Sequence, residues 1–157
     1  MKKQEISTKL LKHLGINPSQ IDTEVKSCGK ALPTWWTSEV DLAKNHIRSV
    51  LPLDISHWAI PIETINKVFN LYTLEGSWRD TTRQLGNCSY RDTHIRINLG
   101  YRYHKSDSAR QKQMYKTLVH EYVHAILYEH YGQSQNHNHR FKFYLRLLSG
   151  ETYREGR

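Results

Sequence analysis

His120, Glu121 and His124 stand as His-Glu-Tyr-Val-His in a chain of 157 residues. Residues four apart on an α-helix lie about 40° apart around the axis and about 6 Å apart along it, so two imidazoles at that spacing reach one ion. At about 100° per residue, Leu118, Val119, Tyr122, Val123, Ile126 and His130 share one continuous arc, the face expected to be buried. His120 and His124 fall just beyond that arc, where a core helix meets a cleft, and Glu121 turns further toward the cleft. A catalytic zinc needs this arrangement: neutral imidazoles as ligands, and a carboxylate that stays off the metal to take a proton from water. Five of the ten histidines, His120, His124, His130, His137 and His139, crowd into this part of the chain.

Such a site needs a third protein ligand and an open fourth position. His130 follows His120 by ten residues, the spacing of a longer HExxHxxGxxH motif, but Leu127 stands where that motif has the Gly that turns the chain back. In an uninterrupted helix His130 is about 15 Å along the axis from His120, so it reads as a packing residue. His137 and His139 lie beyond Gly132 and are free to swing back; spacing alone leaves both open.

The elements that must hold these groups follow from periodicity and caps. Ser106, Asp107 and Ser108 offer N-caps for a long helix that Gly132 should end. A last helix is expected over about 139–149, with Gly150 beyond it. Gly86 to Tyr90, a polar Arg91-Asp92-Thr93 turn and the alternating Ile95, Ile97 and Leu99 describe a hairpin with one wet face. Residues 62–78 suit both a helix and a strand. Upstream, Leu10, Leu11 and Leu14 end at Gly15, Asn17-Pro18 opens a second helix, and Ser38 with Asp41 suggests a capped third, striped by Leu42, Ala43, Ile47, Val50 and Leu51 and ended by Pro52. Trp35 and Trp36 offer either base stacking or, more simply, an aromatic anchor for these helices.

The run HEYVHAILYEHYGQSQNHNHRF, His120 to Phe141, resembles the SprT-like zinc metalloprotease domain, a family that includes the Spartan DNA–protein crosslink proteases. Gly86 with Cys88, and Ile95-Arg96-Ile97-Asn98, are similar to that family's glycine and its I-x-[IL]-N strand. The resemblance implies an α+β, minimal zincin-like domain: a small antiparallel β-sheet, the long HExxH helix and a following helix, preceded by N-terminal helices. It divides the chain into a helical extension, 1–58, and the metalloprotease domain, 59–157. It also implies one Zn²⁺ held by His120, His124 and His137, with His139 as the alternative third ligand. Glu121 is then the general base, and an extended polypeptide substrate is held along the strand from His94 to Leu99. No residue is assignable from the sequence as the oxyanion donor; Tyr122, Arg140 and His139 come into question only by proximity in sequence. Asn138 departs from the Gly that many relatives carry after the third His, and the four-cysteine ribbon of many relatives is not found here, so DNA contact is expected from the domain or its N-terminal helices.

Composition bounds the alternatives. A mean hydropathy of −0.73 with 11% aromatic residues fits a globular, soluble chain. MKKQEISTKLLKHLG has no apolar run behind its lysines, which points away from a signal or membrane anchor and toward the cytoplasm. Cys28 and Cys88 cannot form a disulfide framework or a CxxC knuckle. The net charge of +8 is concentrated: residues 79–116 carry nine Lys/Arg and three acids, +6. Arg91, Arg96, Arg102 and Lys105 are the expected DNA contacts in this segment, and a solvated face is the plainer reading. A catalytically idle zinc module that binds nucleic acid or protein, and a narrow-specificity protease guided by the N-terminal residues, are the other classes compatible with the sequence.

Overall fold

A computed structural model describes residues 31–52, 58–79, 84–100, 104–134 and 136–149. The two helices expected before residue 31, together with Cys28, Arg83 and Arg102, lie outside the described residues. Helix α1, Trp36–Val50, starts two residues before Ser38 and has no side-chain cap at Trp35. The expected Ser38–Asp41 cap is therefore not formed. Trp36, Val40, Ala43 and Ile47 make the buried stripe, and Leu42 faces solvent at 56% exposure. Of the expected stripe, Ala43, Ile47 and Leu51 are buried and Val50 packs against the core, so only Leu42 departs from it, while Trp36 and Val40 extend it toward the start of the helix. Trp35 packs half-buried beside Trp36, so the pair anchors α1.

Both readings of residues 62–78 hold in turn. Helix α2, Ile62–Leu71, buries Ile65, Val68 and Phe69, and strand β1, Thr73–Ser77, follows within two residues. Strands β2, Gly86–Ser89, and β3, His94–Asn98, form the expected hairpin. The sheet is mixed rather than antiparallel, in the order β1-β3-β2, because β1 runs parallel to β3 with Glu75 beside Arg96. β2 is the return strand between them in sequence, and it lies on the far side of β3.

That order corrects one expectation. β3 is central and has both backbone edges in use, so it cannot take an added peptide strand. The polar face of the hairpin is wet at Asn87, which is exposed, and at the half-exposed Arg96 beside it; it closes only at Asn98 and toward β1, where Glu75 and Ser77 are 1% and 2% exposed. Arg96 pairs with the Glu75 carboxylate, and Asn98 donates from Nδ2 to the Gln84 carbonyl at 3.2 Å. Polar groups survive burial there because they meet one another.

Helix α3, Asp107–Tyr131, has the expected ends. Ser106 accepts a hydrogen bond from the Ala109 amide, and Gly132 closes the helix at φ 75°, a left-handed conformation that suits glycine. Its buried surface is wider than the expected arc and includes Met114, Thr117, Glu121, Ala125 and Leu127, whereas His130 is half-buried. The cause is its central position, packed by α1, α2, the sheet and helix α4, His139–Ser149. Gly86 lets β2 lie close, since a Cβ there would stand 2.6 Å from Thr117 Cγ2 of α3. Among the described residues no helix is long and apolar enough to cross a membrane.

Candidate metal centre

One helix fixes His120 and His124 relative to each other, and the chain beyond Gly132 returns a third imidazole to them. Nε2 of His137 lies 3.2 Å from Nε2 of His120 and 3.1 Å from Nε2 of His124. One ligand atom from each of the three falls within 4.8 Å of the others. Three nitrogens about 2.0–2.1 Å from a tetrahedral zinc stand about 3.3 Å apart, so the set fits that ion closely. A neutral imidazole has one N–H and one lone pair, and three Nε2 atoms aimed at one point cannot all satisfy each other. A cation at that point resolves the conflict. Burial, with the neighbouring His124 and His137, holds the His120 imidazole down to about 3, so it stays neutral and its lone pair stays available at physiological pH.

The return of the chain is built by Asn138 and Phe141. Asn138 Oδ1 accepts a hydrogen bond from the Phe141 amide at 3.0 Å, the N-cap of α4; such a cap contributes about 1 kcal/mol. The Phe141 side chain, fully buried, then lies under all three rings: stacked on His124 at 4.2 Å, edge-on to His120 at 4.9 Å and tilted against His137 at 5.0 Å. This aromatic floor holds the imidazole planes. His139 is exposed in the first turn of α4 and does not join the three. His130 packs edge-on to Tyr131 at 4.6 Å, away from them.

Glu121 is 6% exposed, and burial pushes its carboxyl up to about 8. The hairpin packs on the same helix, through β2, which carries Cys88, and through the Tyr90 ring stacked on Tyr128. Burial first, then Glu121 and Glu129, pushes the Cys88 thiol up to about 12 from an ordinary 9.0. At pH 8 this lowers its thiolate fraction by on the order of a thousandfold. Alkylation of Cys88, followed by peptide mass spectrometry, is therefore expected to be at least ~100-fold slower in the native protein than in urea; rates within ~threefold would contradict the burial.

A family model described as the SprT-like family matches residues 62–154, more than half of the chain. The chain belongs to the SprT-like family. No curated protein and no solved structure matches it. The matched SprT-like region begins at the first residue of α2 and contains the sheet, all three histidines, Glu121 and Phe141, whereas α1 lies before it.

Other expected site residues of this SprT-like chain are placed elsewhere. Tyr122 packs in the core against Phe69, at 4.9 Å between ring centroids, and Arg140 lies over the Tyr131 ring at 3.8 Å. Arg91 and Lys105 are exposed, and Arg96 is engaged by Glu75. The packing of Phe141 beneath all three rings went unseen in the sequence. An Asn three residues before an aromatic at a helix start is the one local signal that marks the floor.

Proposed function

We propose that this SprT-like chain is a zinc-dependent endopeptidase. The observation that carries the reading is the convergence of three imidazole Nε2 atoms beside a buried carboxylate on the same helix. His120, His124 and His137 hold the ion, and Phe141 keeps their rings in place. Zinc, when bound, supplies a Lewis acid for the scissile carbonyl and lowers the pKa of a water toward about 7. Glu121 accepts the proton of the attacking water on its carboxylate and returns it to the leaving amine nitrogen. A positive charge nearby favours the ionised carboxylate, offsetting the burial that favours its acid form. The substrate lies extended along β2: among the described residues this strand pairs on one side only, and it packs on α3.

Chelation tests the reading. Protein stripped of metal is expected to lose hydrolysis of an unfolded protein substrate, and one equivalent of zinc to restore it. Hydrolysis that survives chelation with no zinc left in the protein would contradict it.

The reading extends to DNA-associated polypeptides as substrates. Its support is the basic segment, where Arg79, Arg91, Lys105, Lys112 and Lys116 are exposed. Arg96 is a poor probe of this, because it is an ion-pair partner of the buried Glu75 and its removal disturbs that acid as well. Replacing Arg91 and Lys105 together by Gln is expected to weaken duplex binding and to flatten the log–log salt slope by about 0.9 for each phosphate no longer neutralised. An unchanged slope, or no binding at about 50 mM salt, would return the charge to solubility alone.

A further inference from the structure

The polar face of the sheet holds a cavity that the metal centre does not use. It measures about 50 Å³ and is lined by Ser77 of β1, Asn87 of β2, Arg96 and Asn98 of β3, and the flanking Arg79 and Gln84. That volume has room for several waters or one tetrahedral oxyanion. Strand register brings the groups together: Glu75 and Asn87 flank Arg96 on its two sides, and Ser77 lies beside Asn98. Glu75, 1% exposed, engages Nε of Arg96, so a buried acid fixes the guanidinium while its terminal N–H groups make no bond among the described residues. Ser77 is 2% exposed, and its hydroxyl has no hydrogen-bond partner there either. A hydroxyl at that depth is costly unless water or a ligand in the cavity meets it. Asn98 is spent, donating to the Gln84 carbonyl and accepting from the Gly100 amide at 3.0 Å, which ties Gln84 to β3. Arg79, Gln84 and Asn87 are exposed, and their side chains are unbonded among the described residues.

Two guanidiniums, two side-chain amides and a hydroxyl thus surround one space, and no described residue lining it is acidic. Such a donor set suits a ligand whose oxygens only accept, and the arginine fork matches phosphate. We propose that this cavity is a phosphate-binding site, held by Arg79, Arg96, Asn87 and Ser77, with a nucleic-acid backbone as the source of the phosphate. That source rests on the DNA reading above; the phosphate chemistry rests on the donor set and is independent of zinc. The place fits the source. Gly86 also lines the cavity and packs on Thr117, three residues before His120, so a phosphate held there is registered against both β2 and the metal helix.

The test uses the whole chain, Arg79→Gln and Asn87→Asp, both at exposed positions. Inorganic phosphate, against chloride at equal ionic strength, is expected to raise the wild-type melting midpoint by about 2–4 °C at roughly five times its dissociation constant. Less than half of that rise should remain in either variant, and the general stabilisation of proteins by phosphate cancels in the comparison. Acetate should not reproduce it. A duplex oligonucleotide is expected to bind Arg79→Gln about tenfold more weakly, with a log–log salt slope flatter by about 0.9, and Asn87→Asp, which sets a carboxylate against the phosphate, at least as weakly. No phosphate-specific rise in the wild type, the same rise in both variants, or an equal rise with acetate would overturn the site. A rise lost in both variants, with duplex binding unchanged in them or absent from the wild type, supports the site and assigns it to a free phosphate compound. Absent duplex binding defeats the DNA reading instead.

Discussion

Glu121→Gln is expected to lower peptide hydrolysis by about 10²–10⁴-fold while zinc stays bound. The amide keeps the size of the carboxyl and cannot accept the proton of the attacking water. It also suits its surroundings: at 6% exposure, where burial already raises the carboxyl to about 8, a neutral group costs less than an ionised one. Activity and stability should therefore move in opposite directions, with the variant at least as heat-stable as the wild type. Turnover on an unfolded protein substrate, beside a thermal melt of both proteins, checks this. Activity within about tenfold of wild type would remove Glu121 from the proton path.

His137→Ala is expected to cost the site most of its metal. If about 10–16 kcal/mol of zinc binding is shared among four ligands, each is worth roughly 3–4 kcal/mol, or about 10²–10³-fold in affinity. His139→Ala should stay within about threefold of wild type, since that ring is exposed and apart from the cluster. Competition with a zinc-selective chelator separates the two variants. The reverse ranking would mean that the loop presents a different face when metal is bound, with His139 as the third ligand.

How far these groups could be read from the sequence depended on how local their geometry is. His120, Glu121 and His124 were recognisable because helix geometry alone relates them, and the ends of their helix because Ser106 and Gly132 cap it by short-range contacts. The third imidazole was not decidable from spacing: His137 and His139 both follow the break at Gly132, and only the packing of Phe141 beneath the rings turns His137 inward. The parallel pairing of β1 with β3 joins residues about 20 positions apart, which no local pattern reports. The same pairing puts Glu75 against Arg96, so an arginine that looks like a DNA contact in the sequence serves as the partner of a buried acid. The stack of Tyr90 on Tyr128 was equally hidden, because the two rings come together from distant parts of the chain.

Zinc content per chain, measured on freshly purified protein without added metal, tests the metal centre most directly. About one zinc per chain is expected in the wild type and in Glu121→Gln, and well under that in His137→Ala. A wild type without zinc, or a His137→Ala protein that keeps its full complement, would contradict a site built from His120, His124 and His137.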